Sequence, residues 1–164
     1  MTIDRIIGTF FGAGYLRPAP GTWGSLAALP GALALHWIGG FALIAVGTVI
    51  AFAAGLWATG KMTAGSADHD PSEIVIDEVA GQWIALWPLS FAATTRGIDI
   101  LAMWPGWISA FLLFRLFDIW KPWLVGWADR RGDPLGVMLD DVLAGIFAAI
   151  GTLALAAFAH GVLM

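Results

Sequence analysis

The chain has 164 residues, of which 59% are hydrophobic and only 12% are charged, and its mean hydropathy is +0.81. With 10 Trp and 21 Gly, this composition indicates an integral membrane protein and excludes an ordinary soluble domain. The lack of Cys excludes disulfides, thiolate metal sites and a cysteine nucleophile, and the net charge of -4 argues against nucleic acid as a partner.

The chain begins with a short apolar segment, Ile3 to Phe11, that carries Asp4 and Arg5. It is too short for a cleavable secretory signal, and its charges lie inside the apolar stretch. We therefore predict an interfacial helix that lies on the membrane surface.

The next segment predicts a helical hairpin. Residues 12–24 are too rich in Gly and Pro for a regular helix, so Ser25 is the expected N-cap of a helix over residues 26–38. Gly39-Gly40 ends this arm, and residues 41–59 form the second. Since roughly 20 apolar residues are needed to cross a bilayer, the first arm is expected to be short, tilted or partly re-entrant. In either case the chain returns to the side on which it started.

A polar loop over residues 61–70 leads to a third predicted helix. The run Asp70-Pro71-Ser72-Glu73 has the pattern of a helix start, with Asp70 as N-cap and Pro in the first turn. The apolar pattern extends to about Phe91, with a break expected near Pro88.

Two further helices are predicted in the second half of the chain. Pro122 ends the first of them, and Asp133-Pro134 repeats the pattern of N-cap followed by Pro that starts the second. The predicted order is a loop over residues 94–99, a helix from Ile100 to Asp118 or Lys121, a loop over residues 123–132 and a helix to about His160.

These segments predict five membrane crossings if the short first arm is counted. Seven of the eight basic residues then fall on one side, with Arg96 alone on the other, and the positive-inside rule makes the crowded side cytoplasmic. Six Trp near the predicted segment ends fit an aromatic belt: Trp37, Trp57, Trp87, Trp104, Trp120 and Trp123.

Two acidic pairs, Asp77-Glu78 and Asp140-Asp141, lie among apolar neighbours. On facing helices they could surround one hard cation, and Mg²⁺ prefers a few carboxylates together with waters and phosphate oxygens. The alternative is that they stabilise helix N-termini through the macrodipole. The predicted starts at Asp70-Pro71 and Asp133-Pro134 put both pairs about two turns further in, which favours a functional site.

Arg115, Asp118 and Lys121 have the spacing of one helical stripe. An Arg can hold a phosphate through two hydrogen bonds, and a Lys adds a point charge. Asp118 could ligate metal, orient water or attack phosphorus. The alternative is a charge-paired helix end whose long side chains reach to the interface.

The segment Arg17 to Ser25 precedes the predicted hairpin. Its glycines and the following helix N-terminus could hold an anion, with hydroxyl groups from Thr22 and Ser25. The alternative is a Pro/Gly turn with a Ser cap.

The remaining polar residues are predicted to lie outside the site. His69 could ligate a metal but also fits a solvated loop, and His36 and His160 lie near the opposite face. Asp99 and residues 129–131 fit solvated loop charges.

Four sequence blocks together resemble the phosphatidylglycerophosphatase A family. They are PAPGTWGSL at 18–26, DPSEIVIDEVAG at 70–81, FRLFDIWKP at 114–122 and VMLDDVLAG at 137–145. The resemblance implies a Mg²⁺-dependent phosphatase of the bacterial inner membrane that converts phosphatidylglycerophosphate to phosphatidylglycerol and phosphate. It carries the family's active-site positions onto Thr22, Ser25, Asp77, Glu78, Arg115, Asp118, Lys121, Asp140 and Asp141.

We therefore expect a single membrane-embedded domain over residues 1–164. Its fold class is an all-α integral membrane protein, a compact bundle of about four or five hydrophobic helices with an interfacial N-terminal helix. The expected Mg²⁺ ligands are Asp77, Glu78, Asp118, Asp140 and Asp141. Substrate-binding residues are Arg17, Thr22, Ser25, Arg115 and Lys121, and the catalytic set is Asp118, Arg115 and Lys121.

Several alternatives remain open from the sequence. One or two metal ions and either direct attack by water or a covalent phospho-Asp118 are compatible with these residues, as are several oligomeric states. A small cation transporter and a non-catalytic lipid-binding membrane protein are the competing functions. A transporter predicts acidic residues at several depths in the bilayer, whereas here they cluster at one level.

Overall fold

The structure, a computed structural model, describes residues 1–163, with side chains as far as residue 161. Within that range the chain is helical and contains no strand, which confirms the predicted all-α fold. The helices are α1 (Ile3–Gly8), α2 (Pro20–Met62), α3 (Ile76–Arg96), α4 (Trp104–Trp120), α5 (Leu124–Asp129) and α6 (Pro134–Leu163), with short 3₁₀ turns at Ala13–Tyr15 and Ile100–Met103.

Among the described residues, three segments are long and apolar enough to cross a membrane: Pro20–Met62, Ile100–Trp120 and Pro134–Gly161. They agree with the prediction of a multi-pass membrane protein. The count of five crossings stays a prediction.

Helix α3 is the central element of the bundle. Its residues 79–86 are buried on every side, and α2, α4 and α6 pack around it. A helix that is buried all round lies in the core rather than at the lipid boundary. Its Trp83 indole donates a 2.8 Å hydrogen bond to the carbonyl of Ala28, which ties α3 to the first arm of α2.

Helix α2 is the predicted hairpin. Gly39 and Gly40 leave helical geometry, and Gly40 has a φ of +62°, which favours glycine. A Cβ on Gly47 would lie 2.8 Å from Cδ1 of Leu35, although a straight helix would hold these residues about 18 Å apart. The chain therefore reverses between them. The turn packs against the end of α3, where the Phe41 N–H donates to Thr94 Oγ1 at 3.0 Å.

The predicted start of the hairpin is wrong by about one and a half turns. Helix α2 begins at Pro20, so residues 20–24 are helical and Ser25 lies inside the helix instead of capping it. Proline is compatible with a first helical turn because the N–H it lacks would have no partner there. The Ser25 hydroxyl donates to the Gly21 carbonyl at 2.8 Å.

The predicted start of α3 is also wrong. The helix begins at Ile76, and Asp70 does not cap it. The N–H of Ile74 closes a turn on the Pro71 carbonyl at 2.9 Å, and the N–H of Val75 donates to the carbonyl of Gly8 at 2.8 Å, so contact with the N-terminal segment keeps these residues out of the helix until Ile76. Asp77 and its neighbour therefore lie in the first turn, where the helix dipole also favours them.

Helix α6 begins as predicted. The Asp133 carboxylate accepts a 2.6 Å hydrogen bond from the Gly136 N–H, which makes it the cap of a helix that starts at Pro134. The hydrogen bond from Arg131, together with that from Gly136, lowers the pKa of Asp133. Asp140 and Asp141 consequently lie about two turns inside α6, as expected.

Other boundaries also differ from the prediction. Helix α4 begins at Trp104, after a 3₁₀ turn, rather than at Ile100, and α2 ends at Met62 rather than at residue 59. Helix α1 ends at Gly8 rather than Phe11, because Phe10 and Phe11 have positive φ. Helix α3 continues through Pro88 to Arg96, since a buried helix tolerates the loss of one backbone hydrogen bond. Helix α5 lies within the predicted loop over residues 123–132.

The crossing of α3 and α6 leaves no room for side chains. A Cβ on Gly81 would lie 2.5 Å from the Asp141 carbonyl and 2.5 Å from the Phe114 ring, and one on Gly145 would overlap the Gly81 carbonyl. The two backbones are in direct contact at this point, as in other membrane helices that meet through small residues.

Replacing Gly145 with Ala should lower the stability of the protein, because the new methyl group meets backbone that cannot rotate away. We expect a loss of about 1–3 kcal/mol or more, seen as a lower Tm in detergent micelles by circular dichroism. The control is Gly60→Ala in α2, where the nearest atom to a new Cβ is Pro134 Cγ at 3.8 Å. Equal Tm values for the two variants would contradict this account.

Candidate active site

A cavity of about 330 Å³ opens at one end of the bundle. All four sequence blocks contribute to it, so the charged clusters that the sequence separates do converge. The lining residues are Ala19, Pro20, Gly21, Asp70, Ser72, Ile74, Asp77, Glu78, Arg115, Asp118, Ile119, Lys121, Asp140 and Asp141.

Three carboxylates form a tight cluster in this cavity. One oxygen each from Asp77, Glu78 and Asp141 lies within 4.8 Å of the others, and Asp77 and Asp141 are only 7% and 2% exposed. Within the described chain, Glu78 Oε2 and Asp141 Oδ1 are buried without a hydrogen-bond partner. Buried carboxylate oxygens without partners are costly, so this donor set fits a metal ion.

The register of the helix crossing explains this cluster. Asp77 precedes Gly81 by four residues, and Asp141 precedes Gly145 by four, so each carboxylate lies one turn from the glycine contact on the same face. Each acidic pair also has the same local bond: Asp77 accepts from the N–H of Glu78 at 3.0 Å, and the first Asp of the second pair accepts from the next N–H at 2.9 Å.

Arg115 connects α4 to this cluster. Its guanidinium forms a 2.5 Å ion pair with Asp118 and a 3.3 Å hydrogen bond to the Ser25 hydroxyl, while its buried Nε has no partner in the described chain. Gly21 allows the approach of α2, because a Cβ there would overlap Glu78 Oε1 and lie 3.3 Å from Arg115 Nη1. The Arg115 guanidinium therefore lies at the cavity, and one of its N–H groups has no hydrogen-bond partner among the described residues.

Lys121 lies on the other side of the cavity, between two carboxylates. It is paired with Asp129 and, at 2.9 Å, with Asp140. Burial lowers the pKa of Lys121, but the hydrogen bonds and charges of these two partners outweigh burial and raise its pKa above the ordinary value. The residue also has a φ of +51°, a strained backbone state that is often found at functional sites.

The predicted metal ligands divide into two groups. Asp77, Glu78 and Asp141 form the cluster, whereas Asp118 and Asp140 line the same cavity in ion pairs with Arg115 and Lys121. The metal-ligand roles of all five stay predictions.

The predicted substrate-binding residues of the N-terminal block are more scattered. Ser25 is fully buried beneath Arg115, and Arg17 is exposed and donates to the Ser72 hydroxyl at 3.3 Å beside the cavity. Thr22 is half-buried in the first turn of α2 and is not among the residues that line the cavity in the described chain.

Sequence reasoning missed three residues near the cavity. Asp70, predicted as a cap, and its neighbour Ser72 line it. Asp129, predicted as a solvated loop charge, pairs with Lys121 because α5 folds the connection back over the end of α4. Asp70 and Ser72 belong to the sequence block at 70–81, and this was the one signal that could have indicated them. Asp129 lies outside all four blocks, so no such signal existed for it.

The histidines predicted to be uninvolved do lie elsewhere. His36 is hydrogen-bonded to Ser90 at 2.8 Å, and His160 to the carbonyl of Ala156 at 3.0 Å, both away from the cavity. His69 is exposed.

The cavity has many more acidic than basic groups. Among the described residues, six carboxyl groups line it, against two basic side chains. With these carboxyl groups ionised, an anionic ligand would be repelled unless a bound cation offset their charge. The arrangement can therefore bind a metal ion and, next to it, an anion such as a phosphate.

Comparisons with known proteins agree with the sequence blocks. Residues 6–156 match the family model described as Phosphatidylglycerophosphatase A. The chain is 37% identical over 147 residues to "Phosphatidylglycerophosphatase A" of Haemophilus influenzae, covering 89% of this chain and 84% of the relative. It is 32% identical over 147 residues to the protein of the same name in Escherichia coli K12, covering 88% and 78%.

A third relative has a different name. The chain is 39% identical over 149 residues to "Putative phosphatidylinositol-3-phosphatase" of Bacteroides thetaiotaomicron, covering 88% of each chain. No solved structure matches this sequence. The family match over most of the chain and the two relatives that share the family's name lead to one conclusion: this chain is a member of the phosphatidylglycerophosphatase A family of lipid phosphatases.

Proposed function

We propose that this protein hydrolyses the terminal phosphate of phosphatidylglycerophosphate in a Mg²⁺-dependent reaction at the cytoplasmic face of the bacterial inner membrane. The products are phosphatidylglycerol and inorganic phosphate. The observation that carries the proposal is the cluster of Asp77, Glu78 and Asp141, with two unpartnered carboxylate oxygens, beside Arg115 in one cavity.

The metal follows from the chemistry of the donors. Carboxylate oxygens are hard ligands, and Mg²⁺ is commonly held by a few carboxylates together with substrate phosphate oxygens. Asp77, Glu78 and Asp141 would hold the ion, with Asp118 and Asp140 next to them. When bound, the ion would supply Lewis-acid charge neutralisation at the phosphate.

The basic residues would bind and orient the phosphate. Arg115, which Ser25 holds in place, and Lys121 donate to its non-bridging oxygens and stabilise the charge of the transition state. Arg17, which lies beside the cavity, would contact the headgroup from the α2 side. Thr22 does not line the cavity, and its part in substrate binding stays a sequence prediction.

In the reaction, the oxygen of a water molecule forms a new bond to phosphorus. The bond between phosphorus and the glycerol oxygen breaks, and this oxygen leaves as a hydroxyl group with a proton that the attacking water gives up. Asp118 is the residue proposed to orient the water, because its ion pair with Arg115 fixes its carboxylate at the phosphate-binding side.

The proposed orientation rests on the distribution of basic residues. Arg17 contacts Ser72, and Lys121 contacts Asp140, so both lie at the end of the bundle that contains the cavity. Arg96 ends α3 at the opposite end. The positive-inside rule then directs the cavity to the cytoplasm.

Loss of a clustered carboxylate should abolish activity. We expect Asp77→Asn and Asp141→Asn to lower kcat/KM for phosphatidylglycerophosphate by about 100-fold or more, since even outer-shell changes at metal sites cost about 10–100-fold. Phosphate release from lipid micelles measures this. The matched control is Asp99→Asn, an exposed carboxylate that caps the turn at Ile100–Met103, where Asn can accept the same bond. An Asn variant with full activity would remove that residue from the ligand set.

Removal of divalent ions should also abolish activity, and Mg²⁺ should restore it. Because a ligand that binds only the folded state stabilises it, Mg²⁺ added after EDTA should raise the Tm of the native protein but not of Asp141→Asn. The Tm shift tests binding independently of turnover. Undiminished phosphate release in EDTA would refute the proposed cofactor.

The name of the Bacteroides relative suggests a second substrate, phosphatidylinositol 3-phosphate, to compare with phosphatidylglycerophosphate. Phosphatidylinositol 3-phosphate carries its phosphate on a rigid ring, whereas the terminal phosphate of phosphatidylglycerophosphate is on a flexible glycerol that can reach the buried carboxylates. We expect kcat/KM to be higher for phosphatidylglycerophosphate by about 10-fold or more. A preference for the inositol lipid in the same phosphate-release assay would reassign the substrate.

A further inference from the structure

A second cavity lies along the same two helices as the candidate active site. It measures about 300 Å³ and is apolar, with Leu29, Pro30, Leu33, Leu101, Trp104 and Trp107 as its lining. The first arm of α2 and α4 with its preceding turn supply all six residues. The site cavity is bordered by the opposite ends of these helices, at Pro20 and Ile119.

The seam between the first arm of α2 and α4 connects the two cavities. The helices are antiparallel here, since Pro20 lies at the site end of α2 and Ile119 at the site end of α4. They are joined near the site by the 3.3 Å contact of Arg115 with Ser25, but pack together far less than α2 and α3 do.

Apolar side chains line the outer edge of this seam. On α4, Trp104, Ile108 and Leu112 follow one another at four-residue spacing, so they share a face. Ile108 and Leu112 are 50% and 58% exposed, and Leu26 of α2 is 38% exposed. The seam is therefore an apolar path that starts at a polar cavity.

The length of this path matches the depth of one membrane leaflet. Gly21 and Leu33 are separated by about 18 Å along the axis of α2, and Trp107 and Ile119 by about the same distance along α4. Half of the hydrocarbon core of a bilayer is about 15 Å. A lipid whose phosphate lies in the site would therefore extend its acyl chain to the depth of the second cavity.

We propose that the seam binds one acyl chain of the lipid substrate, and that the cavity at Leu33 and Trp104 holds the end of that chain. This inference rests on the proposed function, because it takes the phosphate of the same lipid to be in the site. Lipid tails are as apolar as the cavity wall, so binding there depends on shape rather than on the hydrophobic effect. The cavity thus sets the preference of the enzyme for chain length.

The experiment compares two phosphatidylglycerophosphates, one dioctanoyl and one dipalmitoyl, in the same detergent micelles. Leu33→Trp fills the cavity and should lower kcat/KM for the dipalmitoyl lipid by about 10-fold or more, with little change for the dioctanoyl lipid, whose chains are half as long. The control Leu153→Trp fills a cavity of about 350 Å³ that α3 and α6 line together with Met103, and Leu153 itself lies on α6, outside the seam. It should leave the ratio of the two kcat/KM values as in the native protein.

A second variant tests the same cavity without adding bulk. Trp104 is 62% exposed, so Trp104→Ala should fold and enlarge the cavity, and the preference should move toward a distearoyl lipid. If both seam variants keep the native chain-length profile, or if Leu153→Trp changes it equally, the acyl-chain site is refuted. If the native protein releases phosphate from none of these lipids, it is the proposed function that fails.

Discussion

The direct contact between α3 and α6 is the constraint on which the site depends. Gly81 and Gly145 let the two backbones touch, and one turn away the same register brings Asp77 and Asp141 together. A larger residue at either glycine would separate the helices and open the cluster. The backbone contact and the carboxylate cluster are consequently two results of one packing arrangement. Close-packed glycines position carboxyl groups whose burial is energetically unfavourable.

The balance of charge in the cavity gives the site its chemical character. Six carboxyl groups face two bases, and the two bases are already paired, Arg115 with Asp118 and Lys121 with Asp140. With the carboxyl groups ionised, such a site would repel a phosphate unless a cation lay at the remaining carboxylates. The excess of carboxyl groups, which alone does not suit an anionic ligand, is compatible with a site that could hold a metal ion beside a phosphate.

Residues of the same two helices, α2 and α4, line both the polar cavity and the apolar cavity. In the polar cavity these residues lie together, and Ile119 among them is exposed, so the proposed function would let a lipid approach on this side. In the proposed binding mode, the phosphate would meet fixed side chains at the end of the bundle, while the acyl chain would stay beside the helices. A small bundle can in this way combine a polar reaction site with an apolar binding surface without an enclosed chamber.

Four features could be predicted from the residues alone: the membrane character, the hairpin at Gly39-Gly40, the start of α6 at Asp133-Pro134 and the identity of the charged clusters. Each of these depends on local chemistry: composition, a glycine pair, a cap followed by proline, and charges in apolar surroundings. The start of α3 at Ile76 could not be predicted from the sequence. The backbone hydrogen bond from the Val75 N–H to the Gly8 carbonyl, which delays this helix, joins residues that are far apart in the chain. The prediction failed at Pro88 for a related reason, since burial by three neighbouring helices keeps α3 intact.

Which carboxylates meet, and which are paired with bases, depends on how the helices pack. Asp140 and Asp141 are neighbours in sequence, yet one contacts Lys121 and the other joins Asp77 and Glu78. Adjacent helical residues point about 100° apart, so their partners depend on how α6 is rotated against α3 and α4. That rotation is set by the glycine contact and the surrounding packing, which no local pattern of residues specifies.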